Sequence, residues 1–142
     1  MPASSHPVLA SSGSVDLSHS VDVVKCRQAV RKLMEQLGFS VIEQTMMVTA
    51  ASEIARNTVT HGGGGRFSWE VAVNGIRTGL RLTFEDTGPG IADVSLAMTN
   101  GWSSANSLGF GLPGAQRLVN EFEINSTPGQ GTRVVITRWR KR

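Results

Sequence analysis

Asp86 opens the run Asp86-Thr87-Gly88-Pro89-Gly90, and Gly109-Phe110-Gly111-Leu112-Pro113-Gly114 follows further along the chain. An aspartate set among glycines can accept a hydrogen bond from an amino group that approaches closely, such as that of adenine. Backbone N–H groups at a helix start suit phosphate. Together the two runs point to a nucleotide pocket. Glu53 and Asn57, four apart on an expected helix, share one of its faces. The Asn57 carbonyl oxygen can serve magnesium, which keeps waters and phosphate oxygens as its other ligands. Gly129-Gln130-Gly131-Thr132 adds a last glycine turn. The Thr132 hydroxyl is placed to support the Asp86 contact, directly or through water, although threonine also suits the strand expected after it.

Each feature has a plainer reading. Asp-x-Gly is common turn chemistry, but Asp86 follows an apolar strand pattern and a second glycine comes two residues after the first. Gly88 and Gly90 are expected to remove side chains that would block a base. Gly109 to Gly114 fits the dinucleotide fingerprint G-x-G-x-x-G in form only, because a polar loop precedes it where that fingerprint needs a strand. A phosphate-covering lid is the better reading. No phosphate-loop G-x-x-x-x-G-K-[ST] occurs, and no H-R-D or D-F-G pair. The histidines His6, His19 and His61 are scattered, and Cys26 is the one cysteine, so neither a metal cluster nor an internal disulfide is expected. Cys26 falls on an apolar helical stripe and is read as core.

In order, Glu53-x-x-Arg56-Asn57, Asp86-x-Gly88-x-Gly90, Gly109-x-Gly111-Leu112-Pro113-Gly114 and Gly131-Thr132 resemble the N, G1, G2 and terminal Gly-Thr boxes of the GHKL (Bergerat-fold) ATP-binding superfamily. Within it the chain looks like an RsbT-type serine/threonine switch kinase or anti-sigma regulatory factor, through Arg56 before Asn57, Pro89-Gly90-Ile91 and Leu112-Pro113-Gly114. The likeness runs from about Val15 to the end. It implies ATP and magnesium as cofactors, Glu53 as general base toward an incoming hydroxyl, and magnesium on Asn57. It further implies Arg56, Asp86, Gly88, Gly90, Gly109, Gly111, Leu112, Gly114 and Thr132 around the nucleotide. Arg56 has two open roles, a phosphate contact or a structural ion pair. The implied substrate is a STAS-domain antagonist or scaffold protein, with a downstream regulator such as a phosphatase or a sigma factor as alternate partner. Two further readings stand beside it: an anti-sigma factor kinase, and a module that sequesters its partner without phosphorylating it. A homodimer is left open.

The elements that must position these residues follow from periodicity. Residues 1–13, rich in Ser, Pro and Ala, are expected to be mobile, and residues 14–142 to form one domain. Ser14 to Leu17 is a short edge strand. Val23, Cys26, Val30, Leu33, Met34 and Leu37 recur at helical spacing, with a stop at Gly38-Phe39. Ser40-Val41-Ile42-Glu43 is a capping box opening a second helix to about His61, with Met46, Ala50, Ile54 and Ala55 on its core side. Phe67, Trp69, Val71 and Val73, then Leu80, Leu82 and Phe84, alternate around Asn74-Gly75 as a hairpin. A short helix over 93–100 and a polar lid over 101–108 come next, then a helix from Pro113 through Ala115, Leu118, Val119 and Phe122. Strands over 123–126 and 132–139 close the chain. The expected fold is an α/β two-layer sandwich, a mostly antiparallel sheet covered on one face by helices.

Charge and size bound the function. The 142 residues are 39% hydrophobic and 18% charged, as in a soluble globular domain, with net charge +3. Arg133, Arg138, Arg140, Lys141 and Arg142 gather at the end, but no nucleic-acid motif accompanies them. No apolar run approaches a membrane span and the N-terminus lacks a signal peptide's apolar core, so a cytoplasmic protein without membrane or nucleic-acid partners is expected.

Overall fold

A computed structural model describes residues 9–91, 98 and 111–141. Their elements are β1 (Ser12–Leu17), α1 (Ser20–Gln36), α2 (Val41–Thr60), β2 (Gly65–Asn74), β3 (Arg77–Asp86), α3 (Gly111–Arg117), β4 (Glu121–Thr127) and β5 (Gly131–Trp139). The strands form one sheet in the order β1-β2-β3-β5-β4, each neighbour antiparallel. The helices share one core with the sheet: Val30, Leu33, Met34, Met47 and Ile54 pack with Phe67, Leu80, Leu82, Phe84 and Ile136. On the opposite face Arg81 pairs with Glu70 and Glu121, and Arg133 with Glu85. The expected two-layer α/β sandwich is the fold that forms.

Local chemistry accounts for the boundaries. At α1 the Ser18 and His19 N–H groups both donate to Asp22 Oδ2, at 2.8 and 3.0 Å, so polar capping carries the first turn ahead of the apolar stripe that begins at Val23. Gly38, at φ +81°, ends that helix, and Phe39 N–H donates to Met34 O. The α2 capping box is reciprocal, Glu43 N–H to Ser40 Oγ and Ser40 N–H to Glu43 Oε1, both 3.1 Å. Asn74-Gly75 makes the β2–β3 turn, with Asn74 opposite Arg77 and Gly75 at φ +64°. Cys26 is fully buried, and burial pushes its thiol up to about 12.

Several expectations shift. β1 starts at Ser12, and Leu9 exchanges hydrogen bonds with the Gln36 side chain. On α2 the core methionine is Met47, fully buried, rather than Met46, whose direction is about 100° away on the helix. α3 stops at Arg117; Leu118 and Val119 lie beyond it and Phe122 belongs to β4. The chain is captured there by β5, since Asn120 N–H donates to Thr137 O and Trp139 N–H to Asn120 Oδ1 at 2.6 Å. Apart from Met98, the helix expected over 93–100, the lid over 101–108 and Gly109 lie outside the described residues.

Candidate nucleotide-binding site

The end of α2, the end of β3, the turn after it, the start of α3 and the start of β5 meet around a pocket that is partly open to solvent. Its apolar walls come from Ile54, Phe84, Ile91, Leu112 and Val134. Its polar groups are Asn57, Thr58, His61, Asp86 and Thr132. Apolar walls with a few placed polar groups suit a flat heterocycle whose edge is read by hydrogen bonds.

Asp86 is the last residue of β3, and the β3–β5 register sets it opposite Thr132. Gly88 N–H donates to its Oδ1 at 2.9 Å. That bond fixes the carboxylate through one oxygen, and Oδ2 has no hydrogen bond among the described residues. Thr132 Oγ1 lies 2.8 Å from Ser126 Oγ, which also accepts the Ile91 N–H at 2.7 Å. The turn bearing Gly88 and Gly90 is thereby stitched to the β4–β5 connection, where Gly129 N–H donates to Pro89 O.

The glycines serve approach between chain segments. A Cβ on Gly88 would meet the Gly62 backbone, and one on Gly90 (φ +76°) would meet Thr127 O. At Gly131 (φ +117°) it would collide with Asp86 O, and at Gly62 with the Asp86 carboxyl. Gly88 and Gly90 therefore let the pocket's own strands and turns close up, a constraint separate from room for a base.

α2 brings the other group. Its last turn is tight, with Asn57 O accepting from the N–H groups of His61 and Gly62 at 2.8 and 3.1 Å. Asn57 is half-buried against the pocket, and among the described residues its side-chain amide makes no hydrogen bond. An amide oxygen in the pocket lining with no hydrogen bond among the described residues fits magnesium, which takes one or two protein oxygens beside phosphate and water. Among the described residues no group of three or more His, Cys, Asp or Glu could hold a metal by itself.

Of the expected residues, Asn57, Asp86, Gly90, Leu112 and Thr132 line this pocket, and Gly88 binds Asp86 from beneath. Glu53, one turn before Asn57 on α2, and Arg56, the residue directly before Asn57, are both outside the lining. Glu53 Oε1 accepts from Arg56 Nη1 at 2.8 Å, and Glu53 Oε2 accepts from Gly111 N–H at 3.2 Å, which links it to the first residue of α3. Gly111 and Gly114 are buried in α3. Sequence reasoning missed Gly62, Ser126 and the pocket face of His61. Gly62 opens the four-glycine run that follows α2, and although its φ is not positive, a Cβ there would meet the Asp86 carboxyl.

Residues 42–142 match the family model of histidine kinase-, DNA gyrase B-, and HSP90-like ATPases. The chain belongs to that family. Within it, the chain is 40% identical to the serine/threonine-protein kinase RsbT of Bacillus subtilis (strain 168), over 83% of this chain and 89% of that one. It is 32% identical to the anti-sigma F factor of Clostridium novyi (strain NT), over 86% and 89%. These relatives put it on the protein-kinase branch of the family. The crystal structure of the RsbU and RsbW domains of Rv1364c from Mycobacterium tuberculosis shares the fold, with TM-score 0.63 at 20% identity, covering 92% of this chain and 33% of that one.

Proposed function

We propose that this kinase transfers the γ-phosphoryl group of ATP, with magnesium, to a serine or threonine of a STAS-domain partner, and that binding this partner alternates with binding a downstream regulator. The observation that carries the nucleotide reading is the Asp86 carboxylate, pinned through Oδ1 by Gly88 at 2.9 Å inside an apolar pocket. Its Oδ2 accepts the adenine amino group, and Ile54, Ile91, Leu112 and Val134 enclose the ring. Asn57 would hold magnesium, which would supply positive charge to offset that of the phosphates during transfer. Glu53 accepts the proton of the attacking hydroxyl as its oxygen bonds to the γ-phosphorus and the bond to ADP breaks. The proton ends on Glu53, and phosphoprotein and ADP leave. Positioning and electrostatics supply most of the acceleration in such a transfer.

A second reading draws on the anti-sigma relatives, namely that the alternate partner is a sigma factor sequestered by this chain. A cytoplasmic location fits either reading, and no helix among the described residues is long and apolar enough to cross a membrane. The test is single-turnover transfer from labelled ATP to the STAS protein encoded nearby, with and without magnesium. Glu53→Ala is expected to bind ATP and partner but transfer about a hundredfold more slowly, the lower end for a positioned general base. Transfer by that variant at the wild-type rate would remove Glu53 as base. No transfer by the wild type to a verified binding partner would leave a sequestering module.

A further inference from the structure

Arg56 is half exposed, at 48%, and its Nη1 donates to Glu53 Oε1 at 2.8 Å across one helical turn, while the Glu53 side chain is only 15% exposed. Exposed ion pairs at this spacing contribute little to stability. This one differs in its acceptor, a mostly enclosed carboxylate outside the pocket lining whose second oxygen meets the Gly111 N–H at 3.2 Å. Arg56 does not line the pocket either, and its guanidinium is already committed to the neighbouring carboxylate.

We infer that Arg56 is a positioning residue for Glu53: by holding Oε1 it fixes the rotamer of the carboxylate and assigns the proton-accepting role to Oε2. A glutamate side chain has three rotatable bonds, and a base works only within hydrogen-bond reach of the proton it takes. The guanidinium holds one oxygen in a charge-assisted bond and does not compete for the other. The Gly111 contact to Oε2 is the longer of the two, and so the one more readily exchanged for a substrate hydroxyl. The inference rests on Glu53 being the base and separates Arg56 from the phosphate-contact role that its neighbour Asn57 suggests.

The experiment compares Arg56→Ala, Arg56→Lys, Glu53→Gln and the double variant Glu53→Gln/Arg56→Ala. Single-turnover transfer at saturating ATP and partner, the Kd for ATP and Tm are measured for each. Arg56→Ala is expected to slow transfer about tenfold with the ATP Kd within about twofold of wild type, and Arg56→Lys to recover part of the rate. In the Glu53→Gln background, removing Arg56 should change the rate less than about twofold. A rise in Kd of tenfold or more with the saturated rate intact would make Arg56 a phosphate contact and overturn the inference. So would a full tenfold loss in the Glu53→Gln background, or a rate loss that only mirrors a fall in Tm. A wild-type rate for Glu53→Gln alone would remove the base and the inference with it. A slow Glu53→Gln beside an unaffected Arg56→Ala would remove the inference only.

Discussion

Replacing Asp86 by asparagine changes two atoms' chemistry and almost no volume, which isolates the proposed adenine contact. Gly88 N–H already donates to Oδ1 at 2.9 Å, so the amide oxygen of the variant must take that place. Its NH₂ then stands where Oδ2 was and faces the adenine amino group, donor against donor. The lost hydrogen bond involves a charged acceptor, contributing about 1.5–3 kcal/mol net, and two donors are left without acceptors. A loss of about 3 kcal/mol corresponds to roughly a hundredfold weaker ATP binding. At an ATP concentration of 100 times the wild-type Kd, the wild type gains about 2.7 kcal/mol of stability and the variant about 0.4. For a domain of this size that is a rise in Tm of about 8–10 °C against about 1 °C. Calorimetric titration gives the Kd directly, and a melt without nucleotide shows whether the fold is intact. Discrimination against GTP should also shrink, because the new NH₂ can donate to the guanine carbonyl. An unchanged Kd and an unchanged Tm rise would refute the placement of adenine at Asp86.

The remaining expectations concern the metal, a glycine and pH. Asn57→Ala keeps α2, since alanine is a strong helix former and the amide has no hydrogen bond to lose among the described residues; the magnesium-dependent part of ATP binding should vanish, and transfer at the wild-type rate would exclude Asn57 as ligand. Gly62→Ala puts a methyl group into the Asp86 carboxyl at a backbone conformation alanine tolerates, so ATP affinity should fall about tenfold with a stability loss of about 1–3 kcal/mol; full affinity in titration would mean Asp86 does not need its present position. At Glu43, burial raises the carboxyl pKa, but the N–H groups of Ser40 and Lys141 and the Arg138 charge outweigh it and hold it below the ordinary range. A depressed folded pKa means that this stabilisation is complete above the unfolded value of about 4.3 and is lost as pH falls through the folded value. Glu43→Gln should therefore lower Tm at pH 7 and flatten its decline between about pH 5 and 3, and parallel Tm profiles would show that Glu43 contributes nothing to acid unfolding.

The sheet, the helices and most of the pocket were legible because the residues that specify them act locally. The capping box at Ser40 and Glu43, the Asn74-Gly75 turn and the alternation in β2 and β3 need only neighbouring residues to be read. The glycine boxes stood out for a related reason, since positive φ at Gly90 and Gly131 excludes almost every other residue. What was hidden depends on contacts between distant segments. Gly62 meets Asp86 only after β3 has paired with β2 and α2 has ended, and Glu53 meets Gly111 across 58 residues. Phe122 was assigned to α3 because the spacing 115, 118, 119, 122 fits a helix; the bond from Trp139 to Asn120 that starts β4 leaves no local mark. Met46 and Met47 differ only in direction, and the partner face decides between them.

The placement of Glu53 and Asn57 is settled from both ends of one helix. α2 runs 20 residues, a rod of about 30 Å. At its start the Glu43 carboxylate accepts from Ser40 N–H and from Lys141 N–H at 3.1 and 3.2 Å, with Arg138 4.0 Å away and donating to Leu118 O at 2.8 Å. The helix is thereby tied to the end of β5 and to the turn after α3. At its finish the Asn57 and Thr58 carbonyls accept the N–H groups of His61, Gly62 and Gly64, and the chain turns straight into β2 beside β3. β3 carries Asp86 and β5 carries Thr132, so the strands that fix the helix are those that bear the other half of the pocket. Charged and capping groups do this work at the far end, where backbone has room for side chains. At the pocket end the same closure requires glycine, because strand, turn and helix terminus approach within a methyl group of one another around the Asp86 carboxylate.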